Sequence, residues 1–192
     1  MKRIILASSS PRRKEILEIT GLVFEVIPSN YEENMNNDIP SVELAKELSK
    51  GKAEEVAMKH DNAIVIGADT FIALGNEVLG KPQNESDAIA MLQRLSGNSH
   101  SVITGLTIID SSSDKTISEA VETKVYFKKL SNAEIQAYVS SGEPMGKAGS
   151  YAIQGLGSIF IEKIEGDYFN VKGLPLSSLV EKLKKFKIFV LK

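Results

Sequence analysis

The 192 residues carry 23 Lys and Arg against 25 Asp and Glu, a formal net charge of -2, so nothing supplies the broad basic face of a general polyanion binder and any cations that matter act locally. The length is most economically one domain, with two small lobes as the alternative; hydrophobic residues at 42% and charged residues at 25% fit an ordinary globular chain, and no stretch approaches the roughly 20 apolar residues that span a bilayer. The chain has no cysteine, which excludes disulfides and thiolate zinc sites and makes the cytoplasm the expected compartment; its two histidines, His60 and His100, are too few for imidazole metal clusters.

The apolar run Ile4 to Ala7 is too short for a secretory signal and reads as a buried strand. Residues 7–17, ASSSPRRKEIL, then open a helix. Ser10 is the expected N-cap, and Pro11 stands where a missing N–H costs nothing. Ile16, Leu17 and Thr20 face inward, and Gly21 closes the helix. The first turn carries Arg12, Arg13 and Lys14, which the positive end of a helix dipole disfavours by about 0.3 to 1 kcal/mol each when exposed. That mismatch asks for an anion the chain itself does not provide. Leu22 to Ile27 is predicted as a second strand with Leu22, Phe24 and Val26 on one face.

An acidic, Asn-rich loop over 31–38 precedes a helix from Pro40 and Ser41 to about His60. Its inward stripe is Ala45, Leu48 and Val56, and Gly51 interrupts it at some cost. AIVIGADT, residues 63–70, is another buried strand, followed by a hairpin over 72–79 turning at Gly75-Asn76. Asn84 caps a helix to Ser96. Residues 100–109 and 117–128 form an antiparallel pair, with Val121, Thr123, Val125 and Phe127 on one face. SNAE, residues 131–134, is a capping box opening a helix to Ser141. Strands at 158–164 and 168–171 flank the turn EGD, and Ser177 to Phe186 is the last helix. The mixture of alternating and paired strands predicts an α/β or α+β architecture around a mixed sheet, with ligands beyond the strand carboxyl ends.

Two segments leave such ends, SSSPRR and GADT. In the first, the N–H groups of a serine loop and helix start form an anion cradle that Arg12 and Arg13 complete; equally, the serines merely cap and the arginines lie in water. Asp69 stands where a buried strand emerges, so it is paired, hydrated, metal-bound or a turn cap, and Gly67 beside it implies close approach of another group. Lys52 falls on the inward stripe of its helix, either snorkelling to a rim or facing a phosphate. Lys81 in GKP is a loop cation held between Gly80 and Pro82, and most loop lysines are only solubilising. Glu32 and Glu33 are either ligands of a hard cation or a solvated pair. His60 and His100 read as surface or ordinary polar positions. GLGS at 155–158 lacks the glycines of a dinucleotide site, and there is no Walker lysine motif.

Taken in order, LASSSPRRKEIL, YEEN, KGKAEEVA, IGADT, NEVLGKP, MLQRLSGNSHSVITG, KAGSYAIQGLG and GDYFNVKGLPL resemble the Maf family of nucleoside triphosphate pyrophosphatases from residue 4 to about 180. The resemblance implies one domain over 1–192. Its fold would be a long twisted mixed sheet flanked by helices around a central cleft, similar to the inosine triphosphate pyrophosphatases, and in many members a homodimer. It also implies hydrolysis of a nucleoside triphosphate to monophosphate and pyrophosphate with a divalent cation, Mg²⁺ or Mn²⁺. The catalytic acid falls on Asp69 and the metal ligands on Asp69 and Glu33. The phosphate-binding cations fall on Arg13, Lys52 and Lys81, and the phosphate-loop serine on Ser10. Arg12, Thr70 and Gln154 resemble the branch acting on dTTP and UTP. A glutamine amide offers the donor and acceptor that complement the N3–H and a carbonyl of uracil or thymine, whereas a glutamate only accepts. The family's association with septum formation carries the alternative of a non-catalytic nucleotide-binding regulator. Neither a nucleic acid nor a membrane is an expected partner.

Overall fold

The computed structural model describes residues 2–32, 39–75, 77–113 and 115–191. Seven strands form one mixed sheet in the order β2-β1-β3-β5-β6-β7, with β4 paired to β3. The strands are β1 (Arg3–Ala7), β2 (Glu25–Val26), β3 (Ala63–Leu74), β4 (Glu77–Leu79), β5 (Ser99–Asp110), β6 (Thr116–Phe127) and β7 (Ile161–Glu165). The helices are α1 (Pro11–Glu18), α2 (Ser41–Ala57), α3 (Glu85–Leu95), α4 (Asn132–Ser140), α5 (Tyr168–Lys172) and α6 (Leu176–Leu183). β1 runs parallel to β2 and β3, while the β3/β4 and β6/β7 pairs are antiparallel. Among the described residues, no helix is long and apolar enough to cross a membrane. The chain divides into two compact units, Met1–Thr70 with Thr104–Val121 and Gly173–Lys192, and Phe71–Ile103 with Glu122–Lys172.

The first unit is organised by how closely α2 lies on the sheet. Its core joins Ile5, Ala7, Ala63 and Val65 to Ala53 and Val56 of α2. A Cβ on Gly67 would come 2.4 Å from the Ser49 carbonyl oxygen, and one on Gly105 would come 1.8 Å from that of Ala45. Both glycines therefore exist for backbone approach, and the group that Gly67 admits is a helix of the same chain. The same contact buries a hydroxyl chain, Ser49 Oγ to Thr107 Oγ1 at 2.8 Å and Thr107 Oγ1 to Ser118 Oγ at 2.8 Å, which satisfies polar groups that would otherwise be costly there. Gly51 also has a steric reason, because the Tyr31 ring occupies the space a Cβ would need, at 2.3 Å.

Two sequence expectations change in this unit. The strand predicted over 22–27 shortens to Glu25–Val26, paired with Ile5 and Leu6; Leu22 and Phe24 are half-buried but Val26 is 39% exposed. A short edge strand leaves little unpaired backbone for another chain to pair with. β3 runs unbroken for 12 residues through 63–74, so Asp69 lies inside a strand rather than at its end. It is β1 that stops: the β1/β3 register ends at Ala7 opposite Gly67, and Asp69 and Thr70 stand past that end.

The second unit packs Leu79, Leu92, Leu95, Val125, Phe127, Tyr138 and Phe160 into one core. Asn84 caps α3 by accepting from Asp87 N, and Ser131 and Glu134 form the full capping box of α4. Leu74 pairs with Glu77, so two residues link β3 to β4, and Gly75 has the left-handed φ of +62° that such a turn requires. Residues 156–160 form a 3₁₀ turn before β7, and residues 168–171, expected as a strand, lie in the helix Tyr168–Lys172. The cause is Asp167, whose side chain accepts from Phe169 N at 2.7 Å and whose carbonyl accepts from Val171 N at 3.3 Å. This turn of helix points Asn170 inward, where its amide donates to Val102 O and Thr123 Oγ1, both at 3.0 Å.

Candidate active site

In the first unit, the close approach of α2 delivers Lys52 to Asp69. The two side chains form an ion pair between Nζ and Oδ1, with only 13% and 10% of their side-chain surfaces exposed. Lys52 is thus neither snorkelling into open solvent nor held by phosphate alone. Positions 67 and 69 share a strand face, so the face that Gly67 opens to α2 is the face on which Asp69 meets Lys52.

Arg13 occupies the other face of the same strand. Its Nε donates to Gly173 O at 2.9 Å, Nη1 to Ser8 Oγ at 3.2 Å and Nη2 to Thr70 Oγ1 at 3.1 Å. Thr70 Oγ1 also lies 2.9 Å from Thr104 Oγ1. A planar guanidinium held through three of its nitrogens by neutral oxygens has a fixed orientation. Since consecutive strand residues face opposite ways, Lys52–Asp69 and Arg13–Thr70 flank β3 on its two sides, both past the end of β1.

The helix start accounts for the three crowded cations differently. Arg13 folds back onto the oxygens of Ser8, Thr70 and Gly173, and exposed Lys14 lies 3.7 Å from Glu18 one turn on. Arg12 is half-buried; burial lowers its pKa and Glu15 offsets that only in part. Ser10 stands at the N-cap position without a side-chain capping bond, and its backbone N–H donates to Ser8 Oγ at 3.2 Å. Ser8, buried at 6% exposure, therefore shapes the serine loop and braces Arg13, a double role that its sequence context did not single out.

In the second unit, Lys81 and Gln154 are both exposed. Their segments are tied together by the bond from Gly149 N to Gly80 O at 3.0 Å. The stretch before Gln154 is buried: Tyr151, Ala152 and Ile153 are 5%, 4% and 9% exposed. His100, expected as a surface or ordinary polar position, is 3% exposed, with Nε2 2.8 Å from the Tyr151 hydroxyl. Its ring meets Phe127 and Tyr151 edge-on, at centroid distances of 5.1 and 5.4 Å. It serves as an internal brace for this stretch, a role invisible to periodicity because β5 is buried on nearly every residue. Glu33, the expected second metal carboxylate, lies outside the described residues.

A buried ammonium–carboxylate pair on one face of β3 and a fixed guanidinium on the other, both past the end of a parallel strand and beside a serine loop that opens a helix, mark the candidate site of an α/β protein. The chain belongs to the Maf family: the model of the Maf-like proteins matches residues 3–186. A curated relative from Desulforamulus reducens named dTTP/UTP pyrophosphatase is 48% identical over 188 residues, covering 98% of each chain. One from Bacillus cereus with the same name is 50% identical over 190 residues, covering 99% of this chain and 98% of its own. Among solved structures, a nucleoside-triphosphatase / dITP/XTP pyrophosphatase from Mycobacterium abscessus shows a looser likeness, with a TM-score of 0.43 at 12% identity over 67% of this chain and 75% of that one.

Proposed function

We propose that this chain hydrolyses dTTP and UTP between the α and β phosphates, releasing the nucleoside monophosphate and pyrophosphate. The observation that supports this most is the Lys52–Asp69 pair beside the fixed Arg13 fork. It occurs in a chain half identical, over nearly its whole length, to relatives named dTTP/UTP pyrophosphatase.

In this reading Asp69 accepts the proton of a water that attacks the α phosphorus. The bond from that phosphorus to the bridging oxygen breaks, and pyrophosphate leaves with the bond electrons. Arg13, Lys52 and Lys81 neutralise the charge that grows on it, the main contribution available in phosphoryl chemistry. An ammonium carries three donors, so Lys52 serves Asp69 and a phosphate oxygen together. Arg12 and the Ser10 loop take up the remaining phosphate charge, and Thr70 keeps Arg13 in plane. Gln154 reads the pyrimidine edge.

Among the described residues, no group of three or more Asp, Glu or His forms a metal cage. A small hard cation does not need one, because Mg²⁺ is commonly held by one or two carboxylates, water and substrate phosphate oxygens. Buried Asp69 suits that role, and Glu33 is the candidate for a second carboxylate. When bound, such a cation, Mg²⁺ or Mn²⁺, supplies charge neutralisation along the triphosphate.

The test is purified protein with Mg²⁺ or Mn²⁺ and a panel of nucleoside triphosphates. Monophosphate plus pyrophosphate from dTTP and UTP is expected. Diphosphate plus orthophosphate overturns the assignment, and nucleotide binding without turnover favours a regulator.

A further inference from the structure

The second unit contains a carboxylate for which pyrophosphate release has no use. Glu143 follows α4 at the turn through Gly142, and it is half-buried rather than solvated. Three donors converge on it: Leu156 N on Oε2 at 2.9 Å, Gly157 N on Oε1 at 3.0 Å, and the Tyr138 hydroxyl on Oε1 at 2.9 Å. Tyr138 in turn accepts from Ala152 N at 3.3 Å. The residues so pinned are 152, 156 and 157. Between them runs the turn closed by Gly155 N to Ala152 O at 3.2 Å, on which Gln154 stands exposed. Gly155 lies so close to the carboxylate that a Cβ there would come 2.4 Å from Oε2.

We infer that Glu143 is a positioning residue for pyrimidine recognition, clamping the 152–157 turn so that Gln154 presents its amide in one orientation. The inference rests on the base-reading role proposed for Gln154. Its chemistry is specific, because only an ionised carboxylate offers two oxygens that accept and none that donate, and three donors face it here. A glutamine at 143 would turn an N–H toward one of those donors. Burial works against the Glu143 charge, but bonds from Gly157 N, Leu156 N and the Tyr138 hydroxyl outweigh it and hold the carboxyl below its usual range. Burial and Glu143 together push the Tyr138 hydroxyl up, so it stays a donor.

The test compares the full-length wild-type chain with Glu143→Gln, using dTTP and a deoxyribose triphosphate that lacks the base. The ratio of kcat/KM for dTTP to that for the base-free substrate is expected to fall about tenfold, mainly through KM, with the melting midpoint monitored in parallel. Adding Gln154→Ala to Glu143→Gln should cost dTTP turnover little beyond Gln154→Ala alone, since both act through one amide. Tyr138→Phe, which keeps the ring edge against Phe160 at 4.9 Å, should move the ratio the same way by less and serves if Glu143→Gln does not fold. Equal loss on both substrates, or losses that multiply in the double variant, overturns the inference in favour of general support. Amide exchange at Leu156 and Gly157 separates the two layers. Unchanged exchange in Glu143→Gln overturns the clamp itself, whereas absence of pyrophosphate from dTTP and UTP in the wild type overturns the substrate reading and the recognition role built on it.

Discussion

The α2/β3 region of the first unit and the 148–157 segment of the second hold their polar side chains by opposite means. In the first, helix and strand are brought together by missing Cβ atoms at Gly67 and Gly105, and the pair delivered by that contact is charged on both sides. In the second, the backbone itself is pinned by the Glu143 carboxylate and the Tyr138 hydroxyl, His100 bonds the Tyr151 side chain, and the residue presented, Gln154, is neutral. The contrast is between held charges and a presented neutral amide, groups that the proposed function assigns to phosphate and to base. Charges tolerate small displacements because Coulomb forces are long-ranged, whereas amide recognition fails when the donor and acceptor turn by a few tens of degrees.

The sharpest way to break this division is at the carboxylate. Asp69→Asn should lose roughly 10² to 10⁴ in turnover while retaining nucleotide binding, measured by pyrophosphate release and by equilibrium binding; full activity removes Asp69 from the chemistry. Next in size is a stability effect in the second unit alone. Burial lowers the His100 pKa to about 4. Between that value and the ordinary 6.5 or so, the unfolded chain takes up a proton that the folded chain refuses. The contribution is therefore complete above about pH 6.5 and is lost as pH falls to about 4, at about 1.4 kcal/mol per pH unit and about 3 kcal/mol in all. Urea midpoints at several pH values should show this slope flattened in His100→Gln, and an unchanged slope would place the acid sensitivity elsewhere.

Gly67→Ala sharpens the comparison from the other side. A methyl directed at the Ser49 carbonyl should cost about 1 to 3 kcal/mol in urea unfolding, and because α2 carries Lys52, kcat should fall with it. A variant as stable and active as the wild type would show that α2 does not need this approach. The smallest expected effect is on selectivity: Gln154→Glu should lower the turnover of UTP relative to GTP about tenfold, and an unchanged ratio would mean the base is read by other groups.

The residues of the charged region are legible in the sequence because SSSPRR leaves the sheet at the end of β1 and GADT carries an acid after a buried apolar run, although β3 continues through it. What the linear pattern hid was the partner of each group. Gly67 announced a close approach without saying that α2 made it, and Lys52 announced an inward charge without saying that Asp69 received it. Tyr, Phe and Val at 168, 169 and 171 favour the strand predicted over 168–171, but Asp167 ahead of them carries the helix-capping signal that prevails. Glu143 leaves no trace in the sequence, since two of its three partners lie 13 and 14 residues downstream and are backbone groups that every sequence has. Motifs reveal residue types with a chemical purpose, whereas braces made to backbone atoms emerge only from the folded chain.

The central claim is water attack at the α phosphorus, and hydrolysis of dTTP in ¹⁸O-labelled water tests it most directly. Mass spectrometry should find the label in thymidine monophosphate, with unlabelled pyrophosphate. Label in the pyrophosphate, or in orthophosphate released beside the diphosphate, would contradict the account.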